Sequence, residues 1–122
     1  MNVSLFGALS SDVFAALAGR SVLIIGGDRR TYQFRRLNAA FPTTRFEWIP
    51  TRSSDPSVDR FADRIFDPEV ACVVVLHGLA RTAHTKGARR LAARAGKPLL
   101  WCWRPTVAAL ISAWRPARHR VA

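Results

Sequence analysis

The chain has 122 residues, which is enough for one compact domain with its own core and too few for two independent ones. Hydrophobic residues make up 49% and charged residues 22%, values that exclude disorder over most of the length. Nineteen Lys and Arg stand against eight Asp and Glu, a net charge of +11. We therefore expect an anionic partner, which can be a nucleic acid, a phosphorylated small molecule, haem propionates or a membrane surface.

The start of the chain and its cysteines indicate the compartment. Residues 1–19 lack the basic start, long apolar run and cleavage site of a signal peptide, and no apolar stretch approaches the roughly 20 residues of a spanning helix. We expect a cytoplasmic protein that does not enter the membrane. Cys72 and Cys102 each lie inside an apolar run, so in a reducing compartment they are predicted to be buried free thiols.

The first half of the chain alternates between helical and strand patterns. Val13, Phe14 and Leu17 form one apolar face of a short helix, and Gly19 ends it. The glycine pair Gly26-Gly27 marks a sharp turn between an apolar strand and a basic helix. The predicted elements are a helix over 10–19, a strand over 21–25, a helix over 29–40 and an edge strand over 44–49.

The second half repeats the alternation. Its central strand, Ala71–Leu76, is apolar without alternation, which is typical of a strand covered on both faces. The predicted elements are a loop over 50–57, helix 58–66, strand 71–76, helix 85–95, strand 98–103, a helix from Pro105 to Trp114 and a loose basic tail over 115–122.

This alternation predicts an α/β fold. We expect one Rossmann-like domain over residues 1–122, with its core in 21–114, a parallel four-stranded sheet of order 2-1-3-4 and helices on both faces. Ligands of such sheets bind outside the carboxyl ends of the strands, where the strand order reverses. The predicted crevice lies between Gly26-Gly27 and the segment from His77 to His84.

The candidate binding residues surround this crevice, and each has a purely structural alternative. Gly26-Gly27 can bring backbone N–H groups up to a phosphate or serve only a tight turn, and two glycines do not make the dinucleotide fingerprint, which needs three. His84 and His77 can ligate a metal or act as a general base, although lone histidines more often do neither. The cations predicted at the same side are Arg29, Arg30, Arg81, Lys86 and Arg104, which form either an anion site or a solvated basic surface.

Two further patterns concern the tryptophans and the acidic residues. Trp101 and Trp103 alternate along the last strand and are predicted to share one face, with core packing favoured over ligand stacking. The few acids show no order of nucleophile, base and orienting group, so an enzyme is not the favoured interpretation.

Three segments resemble a bacterial family of small Rossmann-like domains of unknown function. They are residues 22–32, residues 73–86 with the Ala83-His84 step and Lys86, and residues 96–101, and the resemblance covers about Ser21 to Ala113. Some members of that family are understood to bind haem b and oxygen as homodimers. The resemblance departs at Ala83, where the family has serine, and at His77, where a small polar or acidic residue is commoner.

The resemblance implies a haem-binding homodimer that binds or senses a diatomic gas such as oxygen, or carries haem. His84 is then the axial iron ligand, and Arg29, Arg30 and Tyr32 lie near the propionates or the distal face. One alternative is a module that binds a nucleotide or another phosphorylated ligand at the Gly26-Gly27 turn. A further alternative is a nucleic-acid-binding accessory domain, which the net charge favours.

Overall fold

A four-stranded parallel sheet forms the centre of the protein. The computed structural model describes residues 11–26, 31–49, 62–76 and 82–121. The strands are β1 (Ser21–Ile25), β2 (Arg45–Ile49), β3 (Val70–Leu76) and β4 (Leu99–Cys102). The sheet has the order β2-β1-β3-β4 with every neighbouring pair parallel, so the predicted α/β class and strand order are confirmed.

Five helical segments among the described residues cover the two faces of the sheet. They are α1 (residues 11–17), α2 (Thr31–Ala40), α3 (Ala62–Phe66), α4 (Thr82–Ala95) and α5 (Val107–Val121). Leu17 of α1, Leu37 of α2 and Leu110 of α5 belong to one buried apolar cluster. Ile65 of α3 and Ala88 of α4 belong to a second cluster. The two clusters use alternate residues of the strands, so they lie on opposite faces of the sheet.

The burial of each strand follows from its place in the sheet. Every residue of β1 and β3 is buried, as expected for central strands covered on both faces. The strands β2 and β4 form the two edges and keep partly exposed residues. The prediction of β2 as an edge strand is therefore confirmed.

The turn from α1 into β1 is held by contacts to the end of α2. Gly19 ends α1 with a φ of 71°, a left-handed conformation that favours glycine, and its N–H donates to the carbonyl of Thr43 at 2.9 Å. The buried hydroxyl of Thr44 donates to the carbonyl of Leu17 at 2.8 Å. The ring of Phe14, 39% exposed, packs against Phe41 with 4.6 Å between ring centres.

The last helix differs from its prediction at both ends. Thr106, not Pro105, stands at the start: its hydroxyl oxygen accepts the N–H of Ala109 at 3.1 Å, which is an N-cap. The helix then continues to Val121, so the loose tail predicted from residue 115 is wrong within the described residues. Ala117 is only 2% exposed and joins the cluster on the α1, α2 and α5 side, which extends the helix beyond Trp114.

Other boundaries shift less. Helix α4 begins at Thr82, three residues before its predicted start, and Gly96 follows its end with a φ of 69°. The predicted loop over 50–57 and the start of the helix predicted from residue 58 lie outside the described residues. Within the described ranges, no helix combines the length and the apolar character needed to cross a bilayer.

Candidate functional site

The carboxyl ends of the four strands form one edge of the sheet, which we call the carboxyl edge. After β1 the chain returns through α2 to β2 on one side, and after β3 it returns through α4 to β4 on the other. Because α2 and α4 lie on opposite faces, their amino ends diverge between β1 and β3. The strand order therefore reverses at the predicted position, and a crevice opens there in folds of this kind.

Gly26 brings bare backbone to the centre of the carboxyl edge. It has a φ of 142°, and a Cβ built on it would lie 2.9 Å from the Cβ of Leu76 and 3.2 Å from the Leu76 carbonyl oxygen. No larger residue fits there without movement of β3. The Gly26 carbonyl accepts the indole N–H of Trp48 at 2.9 Å, and its own N–H donates to the carbonyl of Ile49 at 3.3 Å. The end of β1 is therefore fixed on both sides.

Of the helices in the described ranges, α2, α4 and α5 begin at the carboxyl edge, and none of the three has an acidic residue in its first turn. They have 10, 14 and 15 residues. The first N–H groups of a helix have no partner within the helix and carry a partial positive charge. Within these three first turns no carboxylate neutralises that charge.

Of the predicted cations, the described residues include two, and both are exposed. Lys86 lies in α4 and Arg104 follows β4. Tyr32 in the first turn of α2 is 69% exposed, and its hydroxyl accepts Nη1 of Arg36 at 3.1 Å. The guanidinium of Arg36 also lies 5.7 Å from the centre of the Tyr32 ring, within cation–π range. The remaining predicted site residues lie outside the described residues: Gly27, Arg29, Arg30, His77 and Arg81.

His84 is buried inside the fold. It occupies the third position of α4, which begins earlier than the helix predicted from residue 85, and is only 2% exposed. Lys86 is exposed, so the two side chains point to different sides of α4. Among the described residues, no group of three His, Cys, Asp or Glu side chains is arranged to hold a metal ion.

The tryptophans of β4 differ from their prediction. Trp101 is half-buried and packs against the cluster on the α3 and α4 side, whereas Trp103 is 70% exposed. The prediction that Trp103 packs in the core is therefore wrong, because β4 ends at Cys102 and the chain bends there. Strand alternation gave no signal for this end of β4. Cys72 and Cys102 are buried free thiols, as predicted.

A network of ion pairs lies at the opposite edge of the sheet, which we call the amino edge. Arg64 donates to both carboxylate oxygens of Glu47 and to Oδ2 of Asp67 at 2.6 Å. The pKa of Asp67 is lowered, first by the backbone N–H of Glu69 and then by Arg64. Lys97 donates to the Asp67 carbonyl, and burial lowers its pKa. Sequence reasoning did not find this network, because its members come from three separate elements.

The amino-edge network stabilises the turn before β3. Nη2 of Arg20 donates to the carbonyls of Pro68 at 3.0 Å and Val70 at 3.2 Å, on the same turn. A cavity of about 480 Å³ opens beside these residues. Since Arg20 and Arg64 are already engaged within the protein, we assign this edge a structural role.

Comparison with known proteins supports the fold. No family model and no curated protein matches the chain. A solved structure, described as the solution structure of a phosphate-loop protein, aligns with a TM-score of 0.51 over 83% of this chain and 90% of its own. Its sequence is 18% identical, so the likeness shows a shared α/β architecture.

Proposed function

We propose that the carboxyl edge binds the phosphate group of a nucleotide or another small phosphorylated ligand. The observation that carries the proposal is Gly26, where the chain leaves β1 at a residue without a side chain, five residues before α2 begins at Thr31. Backbone N–H groups at such a turn bind phosphate oxygens directly, and the helix dipole favours the negative charge.

The surrounding charge supports the same ligand class. The first turns of α2, α4 and α5 lack acids, and Lys86 and Arg104 are exposed. Glu47 and Asp67 are paired with Arg64 at the amino edge. The exposed cations and the acid-free first turns of these helices favour a ligand that carries two or more negative charges.

The start of α2 resembles part of a phosphate-loop motif. The solved neighbour is named a phosphate-loop protein, and such loops connect a strand to a helix that begins with Lys and Ser or Thr. In this chain Arg30-Thr31 supplies a cation and a hydroxyl where α2 begins. The loop itself lacks the full spacing of that motif, since Gly26-Gly27 is followed by Asp28 and Arg29. We therefore propose phosphate binding rather than nucleotide hydrolysis.

The haem hypothesis fits the structure less well. Iron ligation needs an imidazole nitrogen that a large planar ligand can reach, and His84 is only 2% exposed. Tyr32, assigned to the haem pocket by the resemblance, is 69% exposed on the first turn of α2. Haem ligation by His84 stays a prediction, and a Soret titration of wild type beside His84→Ala tests it.

The proposed function is tested by thermal stabilisation with inorganic phosphate, ATP and GTP, with haem as a separate arm. A ligand at 100 times its Kd stabilises the folded state by about 2.7 kcal/mol. For a chain of this length we expect the Tm to rise by about 10 °C.

Three single-residue variants test whether the phosphate compounds bind at the carboxyl edge. We expect Thr31→Val and Lys86→Ala to reduce the stabilisation, whereas Arg45→Ala, an exposed cation at the amino end of β2, leaves it unchanged. No stabilisation by any phosphate compound, or a loss equal in all three variants, would refute the proposal. Stabilisation by haem alone, lost in His84→Ala, would establish the haem hypothesis instead.

A further inference from the structure

The net charge of the protein is concentrated in one half of the chain. Residues 70–122 contain ten Lys and Arg and no Asp or Glu, whereas residues 1–69 contain nine Lys and Arg and eight acids. The charged half comprises β3 and β4, at one end of the strand order, together with α4 and α5 on opposite faces of the sheet. Such asymmetry favours a polyanionic partner at the β4 end of the sheet.

Helix α4 carries a continuous basic stripe. Lys86, Arg89, Arg90 and Arg94 are all exposed and recur at helical spacing along about 12 Å of the axis. No acid in α4 compensates them. Like charges on neighbouring turns destabilise a helix unless an external anion binds them, so the stripe is costly without a partner.

Two adjoining grooves run beside this stripe along the open edge of β4. The first, about 460 Å³, is lined by Arg89 and Lys97 with Trp101 between them. The second, about 500 Å³, shares Trp101 and continues to Trp103 and Arg104. We call these five residues the edge groove. It alternates cations with two indole rings, those of Trp101 inside β4 and of Trp103 just beyond its end.

We propose that the edge groove binds single-stranded nucleic acid, with bases stacked on Trp101 and Trp103 and phosphates bound by the cations of α4. Stacking platforms flanked by cations are how proteins bind single strands without reading their sequence. The two indole rings lie at β4, whereas the phosphate site is proposed between β1 and α2; Lys86 and Arg104 are the cations that both proposals use.

The observations favour this occupant over others. A second copy of the chain would place the same positive charge against the edge groove, which repels it. A membrane surface needs an extended apolar face beside the cations, whereas the edge groove offers one largely exposed indole, that of Trp103, and the residues of α4 described as exposed are Ala93 and four Lys or Arg. Nucleic acid supplies both a regular array of phosphates and flat rings for the tryptophans.

Fluorescence anisotropy with labelled oligo-dT and oligo-U of about 10 nucleotides tests the proposal. At about 0.15 M salt we expect wild type to bind both, and Trp103→Ala to weaken binding about 5- to 100-fold. Trp103→Phe keeps a ring and should retain most of the affinity. Phe66→Ala removes another exposed aromatic ring, in α3, and serves as the matched control.

Salt dependence provides a second, independent readout. We expect Arg89→Ala with Arg94→Ala to lower the slope of log K against log salt by about 1.4, because each lost phosphate contact contributes about 0.7 for single strands. Absence of binding by wild type, or equal affinity in the Trp103→Ala and Phe66→Ala variants, would overturn the proposal. Tighter binding to duplex DNA or anionic vesicles, or a dimer that Trp103→Ala dissociates, would also overturn it.

Discussion

Replacing Gly26 by alanine tests how closely β1 and β3 approach at the carboxyl edge. The new Cβ would lie 2.9 Å from the Leu76 Cβ and 3.2 Å from its carbonyl oxygen, both too close, at a φ of 142° that suits only glycine. The backbone strain costs about 1–3 kcal/mol. Forcing a methyl group into packed surroundings costs about 1–3 kcal/mol more. Since Leu76 is part of a fully buried strand, it has little room to yield.

Gly96→Ala is the matched control for this substitution. Gly96 also has a positive φ, 69°, but nothing lies within 4 Å of a Cβ built there. Gly96→Ala should therefore lose only the free energy of the strained backbone conformation, about 1–2 kcal/mol. Urea unfolding should show a greater loss for Gly26→Ala. In a thermal scan each kcal/mol corresponds to about 4 °C, so we expect Tm to fall by at least about 8 °C for Gly26→Ala. Equal losses in the two variants would refute the close approach and, with it, the geometry of the phosphate site.

Three further predictions follow from local contacts. In the folded protein the pKa of Asp67 lies below its ordinary value of 3.8, so its carboxylate stabilises the fold above pH 3.8, and this contribution is lost as the pH falls through the lowered pKa. Asp67→Asn should therefore make the free energy of unfolding depend less on pH in this range. An unchanged dependence would contradict the assignment. Burial raises the pKa of Cys72 to about 12 and that of Cys102 to about 11, so neither should react with a thiol reagent at about pH 8 until the protein unfolds; labelling of the native protein would contradict their burial. Thr106→Ala removes the N-cap of α5 and should cost about 1 kcal/mol in urea unfolding, and a loss near zero would show that the cap does not stabilise the helix.

The parallel sheet was predictable because its signals are local. The residues of β1 and β3 form short apolar runs without alternation, and turn residues separate them from helices. Right-handed crossovers then leave few possible strand orders. The ends of the helices were less predictable. Helix α5 extends past Trp114 because Ala117 packs against residues distant in the chain, and the basic sequence around Ala117 does not reveal that contact.

The candidate site was predictable in position and less so in composition. Gly26 stands at the carboxyl edge as expected, since a strand followed by a Gly-Gly turn and a helix is a local pattern. The burial of His84 and the exposure of Trp103 were not predictable, because each depends on where neighbouring elements pack. Histidine and tryptophan occur both in protein cores and at surfaces, so the residue type alone does not predict its exposure.

By itself, the sequence determined the α/β class, the parallel order of the strands and the place where that order reverses. These follow from hydrophobic periodicity, turn residues and the handedness of the chain, all of which act over short range. Only the tertiary structure decided which polar and aromatic side chains face solvent. It buried His84 and exposed Trp103, and it paired Arg64 with Glu47, 17 residues away in the chain. Exposure and pairing depend on residues far apart in the chain, so they emerge only when the helices pack against the sheet.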